Sequence, residues 1–145
     1  MADLSVTATQ ILAGADADFF DGTAGATITA GQVVYLDSID ALLKLADSDA
    51  SLAKANCKGL ALHGASSGQP LRIQTGGTIT LGAGAAPVVG KVYKLSIIPG
   101  GISPIEDMDA GGMYDSNIGV GGALNTVKLS LFASGEIVPA FATVP

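Results

Sequence analysis

Runs of a few residues rich in Val, Ile, Leu, Thr and Tyr, cut at close intervals by glycines and Asp/Ser clusters, leave helices little room in this chain. The spacing is that of an antiparallel sandwich or barrel. It predicts strands near 5–12, 26–28, 32–37, 41–46, 58–63, 70–75, 77–81, 91–97, 116–120 and 126–133. Alternation is clearest in three of them. Leu71, Ile73 and Thr75 oppose Arg72 and Gln74; Tyr93, Leu95 and Ile97 oppose Lys94 and Ser96; Val127, Leu129 and Leu131 oppose Lys128 and Ser130. One face of each is therefore expected to be wet. Gly76 and Gly77, lying between two β-rich runs, read as a tight hairpin turn, because glycine tolerates positive φ. The best helical candidate, Ser48 to Ala55, is one or two turns long, with Ser48 or Asp49 as its N-cap. The expected fold is all-β: a single small β-barrel or β-sandwich domain over 25–138, with an extended N-terminal arm over 1–24 and a short C-terminal tail over 139–145.

Side-chain size sets a second constraint. Ala, Gly, Ser and Thr together make 64 of the 145 residues, and there is no Trp. Small residues limit the apolar area each position can bury, so a lone copy would have a thin core, and contacts shared between copies are a natural supplement. Cys57 is the only cysteine, which excludes an intramolecular disulfide and argues against structural zinc. A net charge of −6 with a single arginine would repel phosphate, which disfavours nucleic acid as a partner. The longest uncharged stretch, 73–90, is interrupted by glycines, Pro87 and polar side chains and does not read as a membrane helix. Asp3 stands where a secretory leader would carry Lys or Arg, so synthesis is expected in the cytoplasm. Residues 1–50 carry a charge of −7, residues 51–100 carry +5 and the remainder −4. Solvated strand faces and loops account for that pattern, although opposite signs could also attract within or between copies.

Little in the sequence supports catalysis or ligand chemistry. His63 is the only histidine and follows Cys57 by six residues, but no nucleophile elbow or orienting carboxylate stands at a recognised spacing, which leaves a surface histidine and an inert thiol. GAGAAPVVGK places five residues between Gly84 and Gly90 and follows Lys91 with Val92, so it is not a P-loop. Asp16, Asp18 and Asp21 have the flavour of a calcium loop without its bidentate Glu, and a solvated acidic loop is the simpler reading. Glu106, Asp107 and Asp109 are read the same way. No catalytic, cofactor-binding or metal-ligating residue is assigned.

Apolar residues without an obvious local partner point instead to contact surfaces. In the N-terminal arm these are Leu4, Val6, Ile11 and Leu12, followed by Phe19 and Phe20 among three aspartates. An extended edge of this kind can add to a sheet on a partner, with the aromatics as anchors. The rival reading makes the arm the first strand of the domain's own sheet. Ile97, Ile98 and Ile102 flank the PGG turn and exceed what one half-buried strand can cover, which marks them for an interface between copies.

The segments AGATITAGQVVYLDS from Ala24, ADSDASLAKANCKGLAL from Ala46, SGQPLRIQTGGTITLGAGAAPVVGKVYKLS from Ser67, PGGISP from Pro99 and the closing IGVGGALNTVKLSLFASGEIVP span roughly 24–139. In their order, and in the phrase GQP-x-R-x-Q-TGG, they resemble the small head-decoration, or capsid cement, proteins of tailed bacteriophages. The resemblance implies a β-rich structural virion protein without enzymatic activity on the outer capsid surface, commonly a homotrimer, that binds the major capsid protein and bridges neighbouring subunits. It implies no cofactor, membrane or nucleic-acid partner. A β-rich tail or fibre component is the nearest rival, and a carbohydrate-binding β-sandwich is the rival from another class; the scarcity of aromatics, 5% of residues, counts against the latter.

Overall fold

The computed structural model describes residues 4–48, 51–96, 98–104 and 114–137. Among the described residues ten strands form one antiparallel sheet that curls into a half-barrel, with almost no helix. After a 3-10 turn at Ala8–Gln10 they are β1 (Leu12–Ala13), β2 (Asp18–Thr23), β3 (Val33–Leu36), β4 (Leu43–Leu45), β5 (Gly59–Ala61), β6 (Pro70–Thr80), β7 (Val92–Leu95), β8 (Ile102–Pro104), β9 (Tyr114–Gly121) and β10 (Thr126–Ile137). The order is β4-β3-β5-β6-β10-β9-β7-β8, and both β1 and β2 also pair with β6.

β6 organises the molecule. It runs unbroken through Gly76 and Gly77, so the hairpin expected there is absent and two predicted strands are one. Gly77 has φ +81, which bends the strand without reversing it, and a Cβ at this position would collide with the Asp16 carbonyl. On the Pro70 side of the bend β6 pairs with β2 and β5, and on the Thr80 side with β1 and β10. Two groups fasten the bend. Gln74 Nε2 donates to the carbonyls of Gly76 and Thr78, each at 2.9 Å, and Asp16 Oδ1 accepts from Thr78 N at 2.9 Å. This explains why Gln74 is fully buried although simple alternation puts it on the wet face with the exposed Arg72.

The N-terminal segment threads along the same strand. Leu12 faces Thr80, Phe20 faces Ile73 and Thr23 faces Pro70, so residues 12–23 belong to the domain's own sheet. The free extension expected over 1–24 is, in its described part, woven into the fold. Residues 5–11 are not the strand expected of them, and at 26–28 only a bridge forms, between Ile28 and Ala65. β2 and β8 were not expected as strands. The DFFDGT sequence of β2 has weak intrinsic strand preference, and pairing along β6 overrides it. The tail over 139–145 lies outside the described residues.

Just past β2, Ala24 bridges Leu43 of β4 and Gly25 N donates to Leu43 O at 2.7 Å, which closes β2, β6, β5, β3 and β4 on themselves. The chain thus has two apolar clusters with a shared wall. Val34, Leu43, Ala61, Leu71 and Ile73 fill the closed part. Val33, Tyr35 and Leu60, on the opposite faces of β3 and β5, join Ile79, Leu81, Tyr93, Leu95, Ile102, Ile118 and Val127 in the larger cluster. The helix α1 (Leu52–Ala55) is shorter than expected, and its cap is Ser51, whose Oγ accepts from Lys54 N at 3.2 Å. Ser48 is instead buried, its N–H donating to Ser96 O; Asp49 lies outside the described residues.

Candidate functional site

Leu4, Val6, Ile98 and Ile102, assigned from sequence to two different contacts, converge on one cleft. It has a volume of about 530 Å³ and lies between the N-terminal segment, the 29–32 turn and the 98–102 turn. Local backbone chemistry builds it. Leu4 N donates to Ile102 O at 2.9 Å, which brings the N-terminal segment onto the edge of β8. Gly31, at φ +87, lets Val6 and Ile11 approach where a Cβ would collide with them. Gly100, at φ +76, turns the chain so that its N–H reaches Ala46 O at 2.8 Å and its carbonyl accepts from Val33 N at 3.0 Å. Ile102 is fully buried and forms part of the core, whereas Ile98 is 59% exposed at the rim. Ile97 lies outside the described residues. Leu4, Val6 and Ile11 are partly buried against the larger cluster, so they hold the domain together and present only part of their surface.

The second apolar feature is the β1–β2 edge. Leu12 is 66% exposed and Phe19 48% exposed, and Phe19 stacks on the Arg72 guanidinium at 5.2 Å. Phe20 points to the opposite side, where it packs against the smaller cluster under Lys58 Nζ at 4.8 Å. Of the six arm residues singled out from sequence, the structure leaves Leu12 and Phe19 as the two most accessible. Among the described residues no further strand pairs with the outer edge of β2.

The acidic residues near this edge are drawn to separate partners. Asp16 accepts from Thr78 N and from Lys128 Nζ at 3.1 Å, and these bonds hold its carboxyl below the usual carboxylate range. Asp21 is bound by the Arg72 fork at 2.7 and 3.0 Å, which lowers it likewise. Among the described residues no three His, Cys, Asp or Glu side chains gather to hold a metal ion. Cys57 and His63 are engaged apart from one another. The Cys57 sulfur contacts Ser116 Oγ at 3.3 Å and Ala55 O at 3.5 Å, and burial pushes its thiol up to about 11. The ring of His63 is bound to Gly64 O and Arg72 N.

Two exposed apolar features escaped the sequence reading. Ile39, 94% exposed, tips the β3–β4 turn, which is held rigid by Ile39 N and Lys44 Nζ on Asp37 and by Leu42 N and Lys44 Nζ on Asp40. Val88, Val89, Val120 and Leu124 stand at the other end of the sheet, where Gly90 N and Gly121 O join the 82–91 loop to the β9–β10 turn at 2.9 Å. An apolar residue set among turn-forming neighbours, as in SID and GALN, was the available signal.

Comparison with protein-family models, with curated proteins and with solved structures gives no match to this chain. Among the described residues no helix is long and apolar enough to cross a membrane.

Proposed function

We propose that this chain is a structural virion protein that binds the outside of an assembled phage capsid and stabilises it by bridging neighbouring capsid subunits. The reading rests on the order of the segments between residues 24 and 139, which resembles that of capsid cement proteins. The β1–β2 edge supports it: among the described residues no further strand pairs with it, and with Leu12 and Phe19 exposed it has the chemistry needed to add to a capsid subunit, backbone groups supplying affinity and the two side chains filling pockets. Ile98, on the rim of the cleft, is the residue proposed to meet a neighbouring copy in a homotrimer. Three linked copies engaging three shell sites gain effective concentration, so modest contacts hold firmly.

The test mixes purified protein with mature shells that lack it. Wild type should co-sediment with the shells and raise their disruption temperature. A Leu12→Asp, Phe19→Asp variant should stay folded by circular dichroism and lose binding. Because Cys57 has no role in this reading, its alanine variant should bind as wild type does. Wild type that fails to bind shells, or a folded edge variant that binds undiminished, defeats the proposal for that edge.

A further inference from the structure

His63 lies in a shallow recess of about 310 Å³ with Asp21, Gly22, Pro70, Leu71 and Arg72, where the loop after β5 meets β6. Its Nδ1 is 2.9 Å from Gly64 O, and its Nε2 is 3.1 Å from Arg72 N. A carbonyl oxygen can only accept and a backbone N–H can only donate, so these neighbours select one tautomer. Nδ1 carries the proton and Nε2 offers its lone pair to the Arg72 amide. Leu62 N donates to Arg72 O at 3.1 Å, so the ring nitrogen takes the place that a carbonyl of the neighbouring strand holds in a regular antiparallel ladder.

We propose that His63 is an acid-released latch between the 62–69 loop and β6. An imidazolium has a donor on both nitrogens, so proton uptake sets Nε2–H against Arg72 N–H and removes the bond. Among the described residues, the charged groups that line the recess with the ring are Asp21 from β2 and Arg72 from β6. Both carboxylate oxygens of Asp21 are already bound to the Arg72 guanidinium. Release is local. The loop's other ties, Ile28 N to Ala65 O at 2.8 Å, Ala65 N to Ile28 O at 2.9 Å, Gly68 N to Ala24 O at 2.7 Å and Ala24 N to Gln69 O at 2.9 Å among them, do not involve the ring and persist. The freed amide belongs to Arg72, the residue whose guanidinium stacks on the exposed Phe19 ring, so acid loosens the backbone of the residue that supports it. This device does not depend on what the edge binds.

Proton–nitrogen NMR of the full chain across mildly acidic to neutral pH tests the latch. In the wild type the Arg72 amide should shift in step with the His63 ring, and its exchange protection should fall roughly five-fold as the ring charges. The Ala65 and Gly68 amides should hold steady. In His63→Leu, which has no acceptor, the Arg72 amide should show the released state at every pH; in His63→Gln it should not follow pH. A wild-type Arg72 amide that ignores the ring titration, or one that responds equally in His63→Gln, overturns the proposal.

Discussion

At the scale of single residues, polar atoms with one available partner are where this fold is most exposed to substitution. Tyr93 is buried in the larger cluster, and its hydroxyl oxygen accepts from Val88 N at 2.8 Å, anchoring the 82–91 loop. Tyr93→Phe keeps the ring and orphans that N–H, so it should cost about 1 kcal/mol in a denaturant titration. Cys57 makes a different prediction. With its thiol pushed up to about 11 by burial, only partly offset by the Ser116 hydrogen bond, it carries almost no thiolate at neutral pH. Ellman's reagent should therefore react slowly with the native protein and fast once it is unfolded. The expectation of an inert Cys57 rests on missing partners in the sequence, and its burial in the structure is a separate reason for it. The burial of Gln74 was not legible in the sequence, because alternation describes a regular strand and Gln74 spans a bend.

The elements show what a bent strand requires. Gly77→Ala must force a Cβ into the Asp16 carbonyl at a positive φ, and a loss of about 1–3 kcal/mol in thermal or denaturant unfolding is expected. Deleting residues 2–21 strips most of one edge of β6, leaving only Gly22 and Thr23 paired there, and removes Val6 and Ile11 from the larger cluster, so the product should show no cooperative melt. That outcome favours the reading in which this segment is part of the domain's own sheet, and it is why point substitutions, not truncation, must test the edge. Four carboxylates, Asp16, Asp21, Asp37 and Asp40, are lowered chiefly by hydrogen bonds: from the Thr78 backbone for Asp16, from Arg72 for Asp21 and from Lys44 for the other two. Groups whose folded values are depressed contribute stability that is present above the unfolded value, about 3.9, and is lost as pH falls through the lower folded values. Melting temperature should accordingly be insensitive to these groups above about pH 5 and drop below about pH 4. In Asp16→Asn that acid drop should be shallower, because one of the depressed groups is gone.

For the whole molecule, the shared wall of β3 and β5 decides cooperativity. Leu60 faces the larger cluster and Ala61 the smaller one from adjacent positions, so neither cluster can lose its packing without disturbing the strand that serves both. Leu60→Ala and Ile73→Ala, one in each cluster, should each cost about 2–5 kcal/mol and each leave a single calorimetric transition. Two resolved transitions in either variant would show the clusters melting independently. The small side chains that suggested a thin core are reconciled with a stable sheet partly by this economy, since β3 and β5 bury side chains on both faces.

The amino-acid sequence alone determined the all-β class, the rough places of β3, β4, β5, β7, β9 and β10, and the alternation that buries Leu71, Tyr93 and Val127, because these follow from local preference and a period of two. Only the tertiary structure decided that Gly76 and Gly77 bend one strand instead of joining two, that DFFDGT is a strand, and that Leu4 and Val6 share a cleft with Ile98 and Ile102. Each of those outcomes depends on partners distant in sequence, such as Asp16 beneath Gly77, β6 beside β2 and the Ile102 carbonyl beside Leu4. A glycine's φ or an apolar residue's position permits several answers, and the long-range hydrogen bonds and buried area of the assembled sheet select among them.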